Sequence, residues 1–284
     1  MKKKNLIKTL CFAFAASLYF SCYASDAHEP EKNNVQGAYC SDEELSRRSS
    51  AYPLLDDALS WKFQYPSGTE EGGMLQAEVT KDFKSKYFSL YTAENGCQYM
   101  RFSLNANDKG KSKNGSSVRA ELRNLKEWNF SSRAELSYSF YLTSTDFSRA
   151  KFTVGQFLQH CEKKDSPLCR IEIENGEINA KVINYKTDGI TKSDGKTHIY
   201  NLGTIGQNQE TSIRISVDGK KMKLFRDNKL KAEHNFSDEV SAVRKIYFKA
   251  GIYYQNRDSP DIFTEVFMSR LKAGITDGGK NSEL

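Results

Sequence analysis

The stretch Tyr247-Phe248-Lys249-Ala250-Gly251-Ile252-Tyr253-Tyr254-Gln255 decides the fold class. Successive side chains of a strand point to opposite faces, and a helix offers no such two-residue period. Phe248, Ala250, Ile252 and Tyr254 form one apolar set, which reads as core-facing. Tyr247, Lys249, Gly251, Tyr253 and Gln255 form the other, with tyrosines, a cation and an amide around a glycine. The segment is thus a strand with one dry and one polar side.

The same alternation runs outward from it. From Trp61 onward, aromatic and β-branched residues alternate with polar ones, and Gly, Asn and Asp punctuate them. Strands are expected at 75–79, 98–104, 117–123, 134–142, 152–160, 170–174, 178–184, 198–202, 211–217, 221–226, 246–255 and 263–271. Asn175-Gly176 and Asp218-Gly219 lie between such runs and signal hairpins. Long helical periodicity is absent; only Ser41 to Arg48, with Ser41 as N-cap and Glu44 three residues on, reads as a short helix. These features predict an all-β chain, a β-sandwich or jelly roll of two antiparallel sheets, one of them concave.

The N-terminus has a different character. Lys2, Lys3, Lys4 and Lys8 precede an apolar run from Leu10 to Phe20, and small residues follow. This is the pattern of an export signal, with the cut expected before Ser25. Cys22 offers an alternative, a lipoprotein anchor, but Tyr19 stands where a lipobox has leucine. The expected organisation is therefore a signal peptide at 1–24, a polar extension at 25–50 and one jelly-roll domain at 51–284. No second long apolar run predicts membrane insertion. Four of the lysines behind the formal charge of +6 lie in the signal, so the simplest argument for nucleic-acid binding falls away.

Four cysteines follow the signal: Cys40, Cys97, Cys161 and Cys169. An even count in an exported chain suggests disulfides. The expected pairs are Cys161–Cys169, closing a short loop, and Cys40–Cys97, tying the N-terminal segment to the body. A zinc site finds little support, because no CxxC pair is present and the four histidines are scattered. No cofactor or metal is indicated, and a monomer is the default.

Three segments carry unusual polar faces. In Arg119-Ala120-Glu121-Leu122-Arg123, two guanidiniums share a face with one carboxylate. The arginine fork matches carboxylates; an ordinary solvated face with ion pairs would show the same pattern. In the strand from Thr153 to His160, Gln156, Leu158 and His160 share a face if the strand is regular. A glutamine amide can donate to a carboxylate and a histidine can take a proton, although a lone histidine at a strand end is usually a satisfied polar residue. The third segment is the one quoted first. Its polar set fits the floor of a groove for a sugar chain.

These segments bear a family resemblance. Residues 247–255 resemble the Y-F-K-A-G-x-Y-x-Q signature of alginate lyases of polysaccharide lyase family seven, at every fixed position. Residues 119–123 are similar to that family's R-S/T-E-L-R, with Ala120 at the variable place. Trp61-Lys62-Phe63-Gln64-Tyr65-Pro66 is similar to its W-K-L-x-L-P opening. One departure stands out. The family's Q-I/V-H places histidine where this chain has Leu158, and His160 comes two residues later.

The resemblance implies a concanavalin-like β-sandwich jelly roll with a concave substrate groove, and β-elimination on an anionic, uronate-containing polysaccharide. A proton leaves carbon 5 of a uronate, the glycosidic oxygen leaves carbon 4, and no water is consumed. The site must neutralise the carboxylate beside the carbanion. Arg119 or Arg123, with Gln156, would supply those donors. Tyr253 is the expected acid, since an ordinary tyrosine keeps its proton to about pH 10; it is also a candidate base. His160 is the other candidate base, reaching the site only if a bulge carries it there. Glu121, Arg123, Tyr247, Lys249 and Gln255 are expected to bind and position the chain. Three alternatives stay open: a non-catalytic carbohydrate-binding protein on the same scaffold, a hydrolase using Glu172 and Glu174, which lie about 7 Å apart on one strand, and a lyase for another polyuronate such as glucuronan.

Overall fold

A computed structural model describes residues 50–55, 61–69, 72–108, 110, 117–129, 132–143, 150–186, 188–237, 240, 245–255 and 262–275. The expected signal peptide, Cys22, Cys40 and the helix at 41–48 lie outside these residues.

In chain order the strands are β1 (Trp61–Pro66), β2 (Met74–Glu78), β3 (Phe88–Thr92), β4 (Gln98–Asn105), β5 (Val118–Asn124), β6 (Trp128–Asn129), β7 (Ala134–Leu142) and β8 (Lys151–Gln159). Then follow β9 (Ser166–Glu174), β10 (Glu177–Val182), β11 (His198–Thr204), β12 (Thr211–Asp218), β13 (Lys221–Arg226), β14 (Lys229–Asn235), β15 (Lys245–Tyr254) and β16 (Phe263–Ile275). A single 3-10 turn, Tyr52–Leu54, precedes them. No helix among the described residues is long and apolar enough to cross a membrane.

All pairings are antiparallel and build two sheets. One runs β11-β10-β9-β8-β15-β5-β1-β2, with β6 also pairing β15; the other runs β14-β13-β12-β7-β16-β4-β3. This is the two-sheet jelly roll that the alternation predicted. The inward set of β15, Phe248, Ala250, Ile252 and Tyr254, is wholly buried, as are Val118, Ala120 and Leu122 of β5. They meet Phe102, Tyr138, Phe140 and Met268 of the other sheet in one continuous core. The opposite face of the first sheet is polar, and it carries every motif singled out above.

The hairpin at Asn175-Gly176 forms as expected, with both residues at positive φ (54° and 75°). At the second, Asp218 pairs with Lys221, so the turn residues are Gly219 and Lys220. A third such turn, Asp227-Asn228, also has both residues at positive φ (49° and 60°) and leads into β14. Sequence reading missed both this turn and its strand, because β14 has little apolar character to alternate.

The expected Cys161–Cys169 bridge does not form. Cys169 is a free thiol inside the core, its side chain turned inward by the alternation of β9. Burial pushes its pKa up to about 12, so it behaves as a small inert hydrophobe. The Cys40–Cys97 pair lies outside the described residues at Cys40.

Two irregularities shape the polar face. The register of β15 against β8 shifts between Ala250 and Tyr253, and that of β8 against β9 shifts between Thr153 and Gly155. Such bulges re-aim side chains. Gly251 makes the first one possible. Its φ is +139°, and a Cβ there would stand 2.3 Å from the carbonyl oxygen of Ala120. We expect Gly251→Ala to cost about 2–4 kcal/mol, from strain plus a clash with backbone that cannot step aside. Urea denaturation checks this; an unchanged midpoint would mean that β15 accommodates a side chain at the bulge.

Candidate functional site

The polar face is organised by cross-strand register. Lys62, Arg123, Lys249, Gln156, Arg170 and Lys181 are successive partners across β1, β5, β15, β8, β9 and β10. They form one rung of cations and amide across the sheet, at the inter-strand spacing of about 4.8 Å. A second rung begins with Gln64, Glu121 and Gly251.

Glu121 is the centre of this face. Its carboxylate is 1% exposed, and such a buried charge persists only when paired and hydrogen-bonded. Arg119 approaches it at 3.4 Å and Lys249 at 3.8 Å, and the side-chain amide of Gln156 donates to it. Lys249 is itself buried and donates to Gln64 at 2.7 Å. Burial, aided by the positive charges of Arg119 and Arg123 and opposed by Glu121, draws the Lys249 pKa down to about 8. Lys249, expected to bind and position the chain, is buried here and paired with Glu121 and Gln64.

A second buried carboxylate, Glu172, lies to the other side. It is also 1% exposed, and it meets Arg170 at 3.0 Å and Lys181 at 2.6 Å. Gln255 ties this group to β15: its amide donates to Glu172 at 2.8 Å and to Thr153 at 3.1 Å, and its oxygen accepts from Arg170 at 2.6 Å. Glu174 is paired with Lys151 and Lys181. Both carboxylates of the hydrolase alternative are thus committed to cations. Sequence reading named Glu172 only in that rival role. It passed over Arg170, Lys181 and Gln64 as members of the polar face, although the alternation of residues 170–174 carried the signal.

Tyr253 stands between the two carboxylate centres. The bulge sets it opposite Thr153 on one side and Arg119 on the other. The Arg119 guanidinium lies over its ring, 4.3 Å from the centroid, an arrangement that holds both groups by cation–π attraction. Tyr253 is only half buried, and no hydrogen bond ties down its hydroxyl among the described residues.

His160 is elsewhere. A register shift does occur in β8 between Phe157 and Leu158, but only against β9; against β15 the pairing continues, with Leu158 opposite Tyr247 and Gln159 opposite Ile246. The His160 amide then donates to the Lys245 carbonyl. Tyr247 and Tyr253 are six residues apart, about 20 Å along β15. The His160 ring leans on Tyr247 at 4.9 Å, far from Tyr253. Arg119, Gln156, His160 and Tyr253 therefore do not form one cluster. Arg119 and Tyr253 stand together, Gln156 joins them through Glu121, and His160 closes the far end with Tyr247 and Arg123. There the Arg123 guanidinium lies 4.5 Å from the Tyr247 ring, and Tyr247 donates to Asp165 at 3.2 Å. An open depression adjoins this end, lined by Glu127, His160, Cys161, Glu162 and Lys245. No group of metal-ligating side chains is found among the described residues.

Comparison with known proteins places this arrangement. Residues 57–274 match the family model described as alginate lyase. Solved structures share the fold at low sequence identity. One family 7 alginate lyase, A1-II′, crystallised in complex with substrate, superposes with a TM-score of 0.65 at 19% identity, covering 80% of this chain and 97% of that one. An alginate lyase from Pseudomonas aeruginosa gives 0.62 at 20% identity, covering 78% and 100%. One from Klebsiella pneumoniae gives 0.60 at 16% identity, covering 80% and 99%. Among curated protein sequences, none matches the chain.

If Glu121 is the anchor of the face, replacing it should cost more than one side chain's worth of packing. Glu121→Gln would leave Arg119 and buried Lys249 without their counter-ion. We expect a loss of about 3 kcal/mol or more in folding stability, read as a lower urea midpoint. Stability equal to wild type would show that the two cations do not depend on this carboxylate.

Proposed function

Because the chain belongs to the alginate lyase family, whose model covers most of its length, we propose that the polar face of the first sheet is its active site, that Tyr253 handles the proton there, and that mannuronate is the preferred unit. The chain is a polysaccharide lyase acting on alginate; the residue roles and the preference are our reading.

The observation that carries this reading is the stack of Arg119 on Tyr253 beside the Glu121–Gln156 pair. Elimination requires three things at one place. A positive or hydrogen-bonding group must face the uronate carboxylate, since negative charge builds there once the carbon 5 proton leaves. Arg119, with Gln156 near it, provides this. A group must accept that proton, and a group must protonate the glycosidic oxygen as the bond to carbon 4 breaks. Tyr253 serves for both steps. Entering as the phenolate, with the Arg119 cation over its ring, it takes the proton from carbon 5, the carbon 4–oxygen bond breaks as the double bond forms, and the phenol so formed passes that proton to the departing oxygen. Tyr253 ends as it began.

The preference follows from stereochemistry. Mannuronate and guluronate are epimers at carbon 5. In mannuronate the carbon 5 hydrogen and the carbon 4 oxygen lie on the same side of the ring, so one residue can serve both. In guluronate they lie on opposite sides and call for two residues. His160, the expected second proton carrier, sits at the Tyr247 end, and Leu158 occupies the strand position between it and Gln156. A single proton-handling group at Tyr253 favours the same-side reaction.

The expected export from the cell belongs to the same reading: alginate is a polymer, and a lyase with the N-terminal pattern of residues 1–24 would meet it outside the cytoplasm.

The test is the ultraviolet absorbance of the unsaturated product on polymannuronate, polyguluronate and glucuronan. We expect polymannuronate to be cleaved at least tenfold faster than polyguluronate, and Tyr253→Phe to lose about 10³-fold or more in turnover while keeping its fold. A Phe variant that still works near the wild-type rate would remove Tyr253 from the chemistry. Faster cleavage of polyguluronate would require a second proton carrier near Tyr253.

A further inference from the structure

The His160 imidazole is bonded on both sides. Its Nδ1 lies 2.9 Å from an oxygen of Asp165, and its Nε2 lies 2.6 Å from an oxygen of Glu127. An ionised carboxylate only accepts hydrogen bonds, whereas a neutral imidazole has just one N–H to give. Two carboxylate partners therefore call for two N–H groups, the imidazolium form. Such a ring has no lone pair left to take a proton from a sugar.

The geometry points to His160 as a positioning residue: a doubly bonded imidazolium that clamps the connection after β5, through Glu127, to the connection before β9, through Asp165, and so fixes Tyr247 and Arg123 as a uronate-binding end of the groove. This rests on the lyase reading above and extends it to a part of the face distant from Tyr253.

The groups around the ring support a clamp. Below it lies the Tyr247 ring, 4.9 Å away, whose hydroxyl donates to the second oxygen of Asp165. Glu127 also faces Arg123 at 3.8 Å and Lys245 at 3.7 Å. Glu162 and Cys161 complete the depression beside it. Arg123 is thus held from two directions, by Glu127 at its edge and by Tyr247 against its plane. Four elements meet at this point: β15, the end of β8 and the two connections. Tyr247 is 3% exposed and both ring nitrogens of His160 are spent on carboxylates, so the group this end presents to a polymer is the upper edge of Arg123. Its guanidinium suits recognition of a uronate carboxylate.

The clamp and the base readings differ in what can replace His160. Arginine can donate to two carboxylates at once but cannot accept a proton in water. We expect His160→Ala to raise KM for polymannuronate about tenfold with kcat within about threefold, and His160→Arg to restore KM to near wild type. If both variants instead lose kcat by 10² or more while remaining folded, His160 is the base and the clamp is overturned.

A second measurement needs no turnover. Nitrogen-15 NMR of the full chain, under the conditions of the assay, should show both His160 ring nitrogens protonated; one unprotonated nitrogen would also overturn the clamp. Wild-type protein that releases no unsaturated product would refute the lyase reading instead, and the NMR result and the melting temperature of His160→Ala would then decide the clamp by themselves.

Discussion

A carboxylate shut away from water holds the polar face together. Glu121 sits in the middle of the nine-stranded sheet with almost no solvent contact, and burying a charge costs several kcal/mol unless partners offset it. Arg119, Lys249 and Gln156 are those partners. Each comes from a different strand, so the carboxylate gathers β5, β15 and β8 around one point. Glu172 does the same for β9, β10 and the end of β15. The face is therefore preorganised: its arginines stand in fixed orientations before any ligand arrives. That is what electrostatic stabilisation of a developing negative charge demands, because a site that must rearrange to meet the charge loses much of the benefit.

Backbone irregularity does the rest. A regular β15 would carry Tyr253 opposite the inward row of β8. The bulge at Gly251 and its counterpart near Gly155 bring Tyr253, Thr153 and Glu172 onto one face. Both glycines are fixed by what touches them. At Gly251 a side chain would strike the Ala120 carbonyl, and at Gly155 it would meet the Tyr138 hydroxyl at 2.3 Å. Tyr138 belongs to the other sheet, so the packing between the sheets and the shape of the polar face are set by the same residues. A change in the core at Tyr138 would reach the site through Gly155.

Much of this was legible in the sequence because it depends on period two. The two-sheet architecture, the burial of Phe248, Ala250, Ile252 and Tyr254, and the common face of Arg119, Glu121 and Arg123 all follow from alternation alone. What was not legible depends on register between strands, which a single strand does not encode. Alternation put Gln156 and His160 on one face correctly, but only pairing with β15 shows that His160 lies beyond Tyr247. Nor did it reveal that Lys249 is buried, since a lysine on a polar face normally reaches water. The Cys161–Cys169 expectation failed for a related reason. Closeness in sequence suggested a bond, whereas strand parity had already turned Cys169 into the core.

The displaced histidine shows how a motif can keep its residues and lose its geometry. Leu158 and His160 have the same parity, so a two-residue shift preserves the face while moving the imidazole about 7 Å along the strand. At that distance its neighbours change. At position 158 it would have stood directly opposite Tyr247, two residues from Gln156. At its actual position it meets Glu127 and Asp165, which commit both ring nitrogens. With both ring nitrogens facing carboxylates, His160 offers no open lone pair in the clamp proposed above. The Tyr253 hydroxyl has no hydrogen-bond partner among the described residues and a cation over its ring, which is what the proposed proton-handling role asks for. In that proposal the chemistry of the face turns on which group is left uncommitted, and less on which residue types the motifs contain.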